Sequence, residues 1–196
     1  MGSGSVSFRV GFVTGATPDK WARVWRDRYP REPLDLVPVS GDEQEQRLRD
    51  GSLDMALVRL PVDREGLHVI SLYDEVPVVV ASHEHFVAAA DDVGLADLVD
   101  EQLVRPHPSG WHPSADQLPW PPMTERDAVE TVAAGTGVVI LPMSVARLYD
   151  RKDVVHRPVI DLPPTTVALA WLVDHDDERT QRFVGVVRGR TERSSR

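Results

Sequence analysis

From Ser7 to Val13 the sequence SFRVGFV alternates apolar residues with others in a β-rich stretch, which predicts a strand. The turn Thr14-Gly15-Ala16-Thr17 follows. Thr17-Pro18-Asp19 then reads as a helix start, with an N-cap hydroxyl, a proline for the first helical position and an acid in the first turn. Trp21, Val24, Trp25 and Arg28/Tyr29 recur at three- and four-residue spacing, an amphipathic helix that Pro30 closes. Leu34–Val39 alternates again. Gly41–Asp50 is polar and helix-prone, with Leu48 as its clearest apolar anchor and Gly51 as its stop. Leu53–Leu60, LDMALVRL, is mostly apolar, as suits a strand covered on both faces. Strand, helix, strand, helix, strand in this order predicts βαβ units and a parallel sheet.

The second half repeats the vocabulary without repeating the sequence. Leu67–Leu72 and Glu75–Ala81 read as strands, Gly94–Val99 as a short helix and Gln102–Arg105 as a short strand. Pro106–Pro122 holds six of the sixteen prolines together with Trp111 and Trp120, and is predicted to be an irregular loop. Thr124-Glu125-Arg126-Asp127 resembles a capping box, opening a helix to Ala134. Gly135-Thr136-Gly137 breaks that helix, Val138–Leu141 is a strand, and Pro142 starts a helix through Tyr149. Val154–Ile160 and Thr166–Val173 are the last strands, and Asp177–Val187 the final helix. Met1–Ser5 reads as a cloning leader within an unstructured start at 1–7, and 191–196 as a frayed, Arg-rich tail.

Composition narrows the class. The 196 residues are 41% hydrophobic and 27% charged, which excludes disordered and fibrous proteins. No apolar run approaches the roughly 20 residues that span a bilayer, so no membrane partner is expected. The net charge of −9 leaves no overall basic footprint for nucleic acid, so DNA contact would need a segment outside this sequence. With no cysteine, disulfides and thiolate zinc sites are excluded, which fits a cytoplasmic location.

Two segments carry a resemblance: GSLDMALVR at Gly51–Arg59, followed by Gly66-Leu67, and VAAGTGVVILPMSVARL at Val132–Leu148. Together with the FRVGFVT start and the Leu34–Val39 strand after Tyr29-Pro30, these are similar to the effector-binding (substrate-binding) domain of LysR-type transcriptional regulators, from about Phe8 to Val187. The resemblance implies an α/β, two-lobed type 2 periplasmic-binding-protein fold: two βαβ-based lobes joined by two crossover strands, with a ligand cleft between. Lobe one is expected at 8–80 plus 167–190 and lobe two at 81–166, with crossovers near Val80–Ser82 and Pro164–Val167. The sequence departs from the family at His83-Glu84-His85-Phe86, where a His-Pro-Leu-like turn is usual, and in the Pro- and Trp-rich loop.

Within that frame, the Thr14-Gly15-Ala16-Thr17 turn is the first ligand candidate. A helix start carries unpaired N–H groups and partial positive charge, which suit a carboxylate, and the family's equivalent turn faces the cleft. Thr17 also serves simply as a helix cap on this reading. Arg59 ends a buried strand at its carboxyl end, where open α/β sheets place ligands, and its guanidinium suits an acidic effector; the alternative is a solvated surface arginine. Arg105 and His107 end a lobe-two strand in the same way, and Thr124 and Glu125 open a second helix N-terminus towards the cleft. Gly135-Thr136-Gly137 is read as structural, bringing backbone close to a sheet. Trp111 and Trp120 either line a pocket or seal lobe two.

Catalysis finds little support. Ser114, His112 and Asp116 lack a nucleophile-elbow context, and His83-x-His85 with Glu84 lacks a third metal ligand. The chain is therefore read as a sensor and not an enzyme, with no cofactor. A small anionic metabolite is expected to bind and control transcription, and DNA is expected to be met only through a winged helix-turn-helix that is not in this chain. The resemblance also implies a homodimer or higher homo-oligomer, with Trp21, Val24 and Trp25 on one side and Met143, Ala146 and Arg147 on the other; the alternative is a core, since two tryptophans on one helix stripe more often pack inward. The rival readings are a transporter's solute-binding receptor and a freestanding sensing domain.

Overall fold

The computed structural model describes residues 7–189, so the expectation for an unstructured start at 1–7, but for Ser7, and that for the tail at 191–196 lie outside it. The alternating start becomes strand β1 (Phe8–Val13), whose Phe8, Val10 and Val13 are buried. Helix α1 (Asp19–Arg28) follows, then β2 (Leu34–Val39), α2 (Gln44–Arg49) and β3 (Met55–Arg59). β1 is parallel to β2, Phe8 opposite Leu34, and parallel to β3, Val10 opposite Met55. This is the predicted pair of βαβ units.

The remaining elements are β4 (Leu67–Glu75), β5 (Pro77–Ser82), α3 (Glu125–Ala133), β6 (Val139–Pro142), α4 (Met143–Leu148), β7 (Val154–Pro158), β8 (Thr165–Leu172) and α5 (Glu178–Val187). They make a five-stranded sheet, β2-β1-β3-β8-β4, and a three-stranded sheet, β6-β5-β7. β8 enters the first sheet antiparallel to β3, and both neighbours of β5 are antiparallel to it. The parallel sheet expected from element order therefore holds for β1, β2 and β3, while the second sheet is antiparallel throughout. The short strand expected at Gln102–Arg105 is reduced to a single bridge between Leu103 and Val138.

The described chain divides into two compact units, one up to Tyr73 and again from Thr166, the other Asp74–Thr165. The first crossing thus falls at Tyr73/Asp74 and not near Val80. The reason is β5, which pairs along its whole length inside the second sheet, from Pro77 opposite Pro142 to Ser82 opposite Val154.

Each unit has its own core. In the first, Phe8, Val10, Trp25, Met55, Leu57, Leu169 and Phe183 form one buried cluster with α1 and α5 against the sheet. In the second, the unbroken apolar run of β5 is explained by its period of two. Val78 and Val80 face one cluster with Val129, Val132, Leu141 and Val145 from α3, β6 and α4. Val79 and Ala81 face another with Val87, Val93, Leu98 and Ile140. A strand covered on both sides has no polar face to show.

Candidate functional site

In the first unit the sheet register assembles the site. Phe12 lies opposite Leu57, so two residues further on the chain brings Thr14 beside Arg59. There the guanidinium Nη1 of Arg59 donates to the Thr14 carbonyl at 3.1 Å. The turn itself is tight. The Ala16 N–H donates to the Val13 carbonyl at 3.0 Å, and Gly15 takes φ 86°, a left-handed conformation that favours glycine. Two predicted ligand segments, 45 residues apart in sequence, thus meet.

The same detail corrects the roles assigned within the turn. Ala16 is buried and its N–H is already spent on Val13, so it has no donor for a ligand. Thr17 is exposed and makes no cap hydrogen bond. Pro18 already has helical dihedrals (φ −76°, ψ −6°), and its carbonyl accepts the first helical hydrogen bond, from Ala22 at 2.9 Å. The cap is therefore one residue later than predicted, which leaves the Thr17 hydroxyl free of that duty.

Gln44 is a site residue that sequence reasoning missed. It is 7% exposed, and its carboxamide Nε2 donates to the Arg59 carbonyl at 2.9 Å while its Oε1 accepts from the Arg59 N–H at 2.8 Å. Nothing in GDEQEQRLR distinguishes this glutamine from its polar neighbours.

In the second unit, Arg105 donates from Nε to the Met123 carbonyl at 3.3 Å, and its Nη2 lies 3.6 Å from Glu125. His107 Nδ1 accepts from the Ser109 N–H at 3.2 Å and lies 2.8 Å from the Ser109 hydroxyl. An acceptor role at Nδ1 places the neutral ring's proton on Nε2. Burial and the nearby Arg105 push the His107 pKa down, against the charged ring.

The α3 start does not present the open helix terminus expected for an anion. Thr124 Oγ1 accepts from the Asp127 N–H at 3.2 Å, and Asp127 Oδ2 takes the Thr124 hydroxyl at 2.8 Å. With Glu125 beside it, the positive end of α3 already holds two of the chain's own carboxylates. Thr124 and Glu125 are thus poor contacts for a further anion.

The expected dimer face is partly overturned. Trp25 is fully buried, stacked on Phe8 at 5.3 Å, with its Nε1 donating to the Glu32 carbonyl at 3.0 Å. Ala146 is buried in the second unit's core. Both belong to cores because each faces its own sheet. Trp21, Val24 and Met143 are half-buried against those cores, and Arg147 is exposed beside Leu148.

Trp111 and Trp120 both pack onto second-unit clusters, as seals. His112 Nδ1 lies against the carbonyl of Pro113, and the backbone N–H of Ser114 donates to Val99. His83 faces the Asp153 carbonyl and His85 faces Glu101, on different partners. Among the described residues no group of three or more histidine or carboxylate side chains could hold a metal ion. Among them, too, no helix is long and apolar enough to cross a membrane.

A two-unit α/β fold of this topology is shared with effector-binding domains. The BenM effector binding domain with its effector benzoate superposes with a TM-score of 0.74 at 19% identity, covering 93% of this chain and 90% of that one. The reduced form of OxyR gives 0.73 at 19% identity, covering 98% and 100%. In sequence, the model of the LysR substrate binding domain matches residues 5–192, so the chain belongs to that family of regulatory domains. The Hca operon transcriptional activator HcaR of Escherichia coli (strain K12) is 25% identical over 92% of this chain and 67% of its own length. The HTH-type transcriptional regulator AlsR of Bacillus subtilis (strain 168) is 23% identical over 90% and 64%. The chain spans about two thirds of the length of these regulators.

Proposed function

We propose that this domain senses a small carboxylate-bearing metabolite and passes its occupancy to a DNA-binding segment of a cytoplasmic, homo-oligomeric regulator. The observation that carries the reading is the meeting of Arg59 with the Thr14–Thr17 turn. A guanidinium beside the positive end of α1 favours a carboxylate over a neutral ligand. Thr14, Gly15 and the uncapped Thr17 hydroxyl supply neutral contacts around it. In the second unit Arg105 and the Nε2–H of His107 remain candidate polar contacts, whereas Ala16, Thr124 and Glu125 are left out for the reasons above.

Benzoate, the effector named for BenM, is the first probe. Binding to the folded state alone at a hundred times its dissociation constant raises stability by about 2.7 kcal/mol, a readable thermal shift. The expected result is a shift with benzoate or another aromatic or aliphatic carboxylate that Arg59→Met abolishes. A shift that survives Arg59→Met would sink the assignment of this site.

A further inference from the structure

We infer that Gln44 is the positioning residue of the Arg59 subsite, holding the guanidinium in place by clipping the backbone of Arg59 from α2. The inference rests on the reading of Arg59 as the carboxylate contact. Alternate peptide groups of a strand face opposite edges. On the β8 side, the Leu60 N–H donates to the Thr166 carbonyl at 2.9 Å. The N–H and C=O of Arg59 face the other edge, where β1 has already left the sheet for its turn at Thr14. A carboxamide is the side chain that offers a donor and an acceptor side by side, as a peptide group does. Gln44 therefore supplies the missing strand partner for one residue.

The rest of α2 supports the same segment. Glu45 accepts from the Asp63 N–H at 3.3 Å, and Arg49 donates to the carbonyls of Asp63 and Glu65, each at 2.9 Å. Those contacts are exposed, whereas Gln44 is buried, so the Gln44 clip is the one shielded from competing water. It fixes the backbone from which the Arg59 side chain reaches Thr14. Without it, one edge of that backbone loses its partner, and the cost of ordering it would weaken each binding event.

The test uses two variants: Gln44→Met, which keeps the length and removes both hydrogen bonds, and Gln44→Glu, which sets a carboxylate oxygen against the Arg59 carbonyl. The Arg59 side-chain Nε resonance is followed by NMR in the unliganded chain, and benzoate affinity is measured for each variant, for Arg59→Met and for the double variant. The inference expects the Arg59 signal to broaden in both Gln44 variants, with those of Arg9 and Arg157 unchanged. It also expects a loss of affinity of about tenfold from Gln44→Met that disappears on an Arg59→Met background. An unchanged Arg59 signal, or an equal loss on both backgrounds, would overturn it. If the native chain binds no benzoate, the Arg59 resonance decides the inference alone; failure of the whole carboxylate panel counts against the proposed function instead.

Discussion

The ring of Phe8, the first residue of β1, stacks on Trp25 of α1 at 5.3 Å and 23° between planes, and Phe183 of α5 closes on both, at 5.8 and 5.7 Å. Offset and edge contacts of this kind add to the area the rings bury. The indole N–H is also satisfied, by the Glu32 carbonyl. Trp25 therefore ties α1 to the sheet and to α5, and fixes the direction in which α1 leaves the Thr14–Thr17 turn. Trp25→Ala is expected to cost about 3–5 kcal/mol, read as a lower denaturant midpoint, because it opens a cavity and orphans a carbonyl. Loss of that stability with no change in association state would separate the core role of Trp25 from the dimer role first expected of it.

The proposed oligomer is tested better at Arg147, which is exposed on α4 beside Leu148, itself 58% exposed. Arg147→Glu reverses a charge without touching a core. The expected result is a smaller sedimenting mass at micromolar concentration with an unchanged melting temperature; an unchanged mass would remove this face from the interface.

Glu125 lies 3.6 Å from Arg105, both with side chains about a fifth exposed (20% and 23%). A carboxylate so placed occupies the Arg105 guanidinium that is otherwise a candidate polar contact for the ligand. Glu125→Gln should raise affinity for a carboxylate ligand several-fold while costing about 1 kcal/mol of stability from the lost pair. Isothermal titration of the variant beside the native chain reads the first effect, and thermal melting the second. Weaker binding in the variant would mean that Glu125 touches the ligand after all, through a donor on it.

The order of elements was legible because each one announces itself locally: the alternation of SFRVGFV, the stripe of Trp21, Val24 and Trp25, and the doubly apolar VPVVVA. What was not legible depends on pairing partners. Whether Val80 ends the first unit or lies inside the second sheet is decided by β6 and β7, more than fifty residues downstream. Thr14 and Arg59 were readable separately, but their meeting needs the β1–β3 register. Gln44 looks like any solvent-facing glutamine until the end of β1 leaves a strand edge for it to fill. Likewise Thr124-x-x-Asp127 was readable as a capping box, and the full consequence, that a filled cap leaves little for an anion, follows only from the geometry.

His107 makes stability depend on pH in a definite direction. Its pKa in the folded chain lies below the ordinary 6.5, first because of burial and then because of Arg105. Between those two values the unfolded chain binds the proton and the folded chain does not, so stability falls as pH drops below about 6.5 and levels off beneath the folded pKa. Above 6.5 both states are neutral and the contribution is fully present. His107→Gln should flatten the melting-temperature profile between pH 7 and 5. An equally steep profile in the variant would assign the slope elsewhere.

Gly137 gives the sharpest stability prediction, since two separate demands fall on it. Its φ is 91°, a conformation that side chains rarely adopt. A Cβ there would also run into the carbonyl of Gln102, the group that accepts the Val138 N–H at 2.8 Å, and into the Gln102 Cβ at 2.7 Å. That backbone cannot retreat cheaply, because the Val104 N–H returns to the Val138 carbonyl at 3.0 Å and closes a two-bond ladder. Gly135 also has a positive φ, 81°, but a Cβ there meets nothing within 4 Å. Gly137→Ala should therefore cost about 3 kcal/mol or more, from strain plus clash, and Gly135→Ala about 1 kcal/mol, from strain alone. Urea melts of the two variants would show the contrast; equal losses would mean that the Leu103–Val138 bridge yields and that the close approach at Gln102 is not rigid.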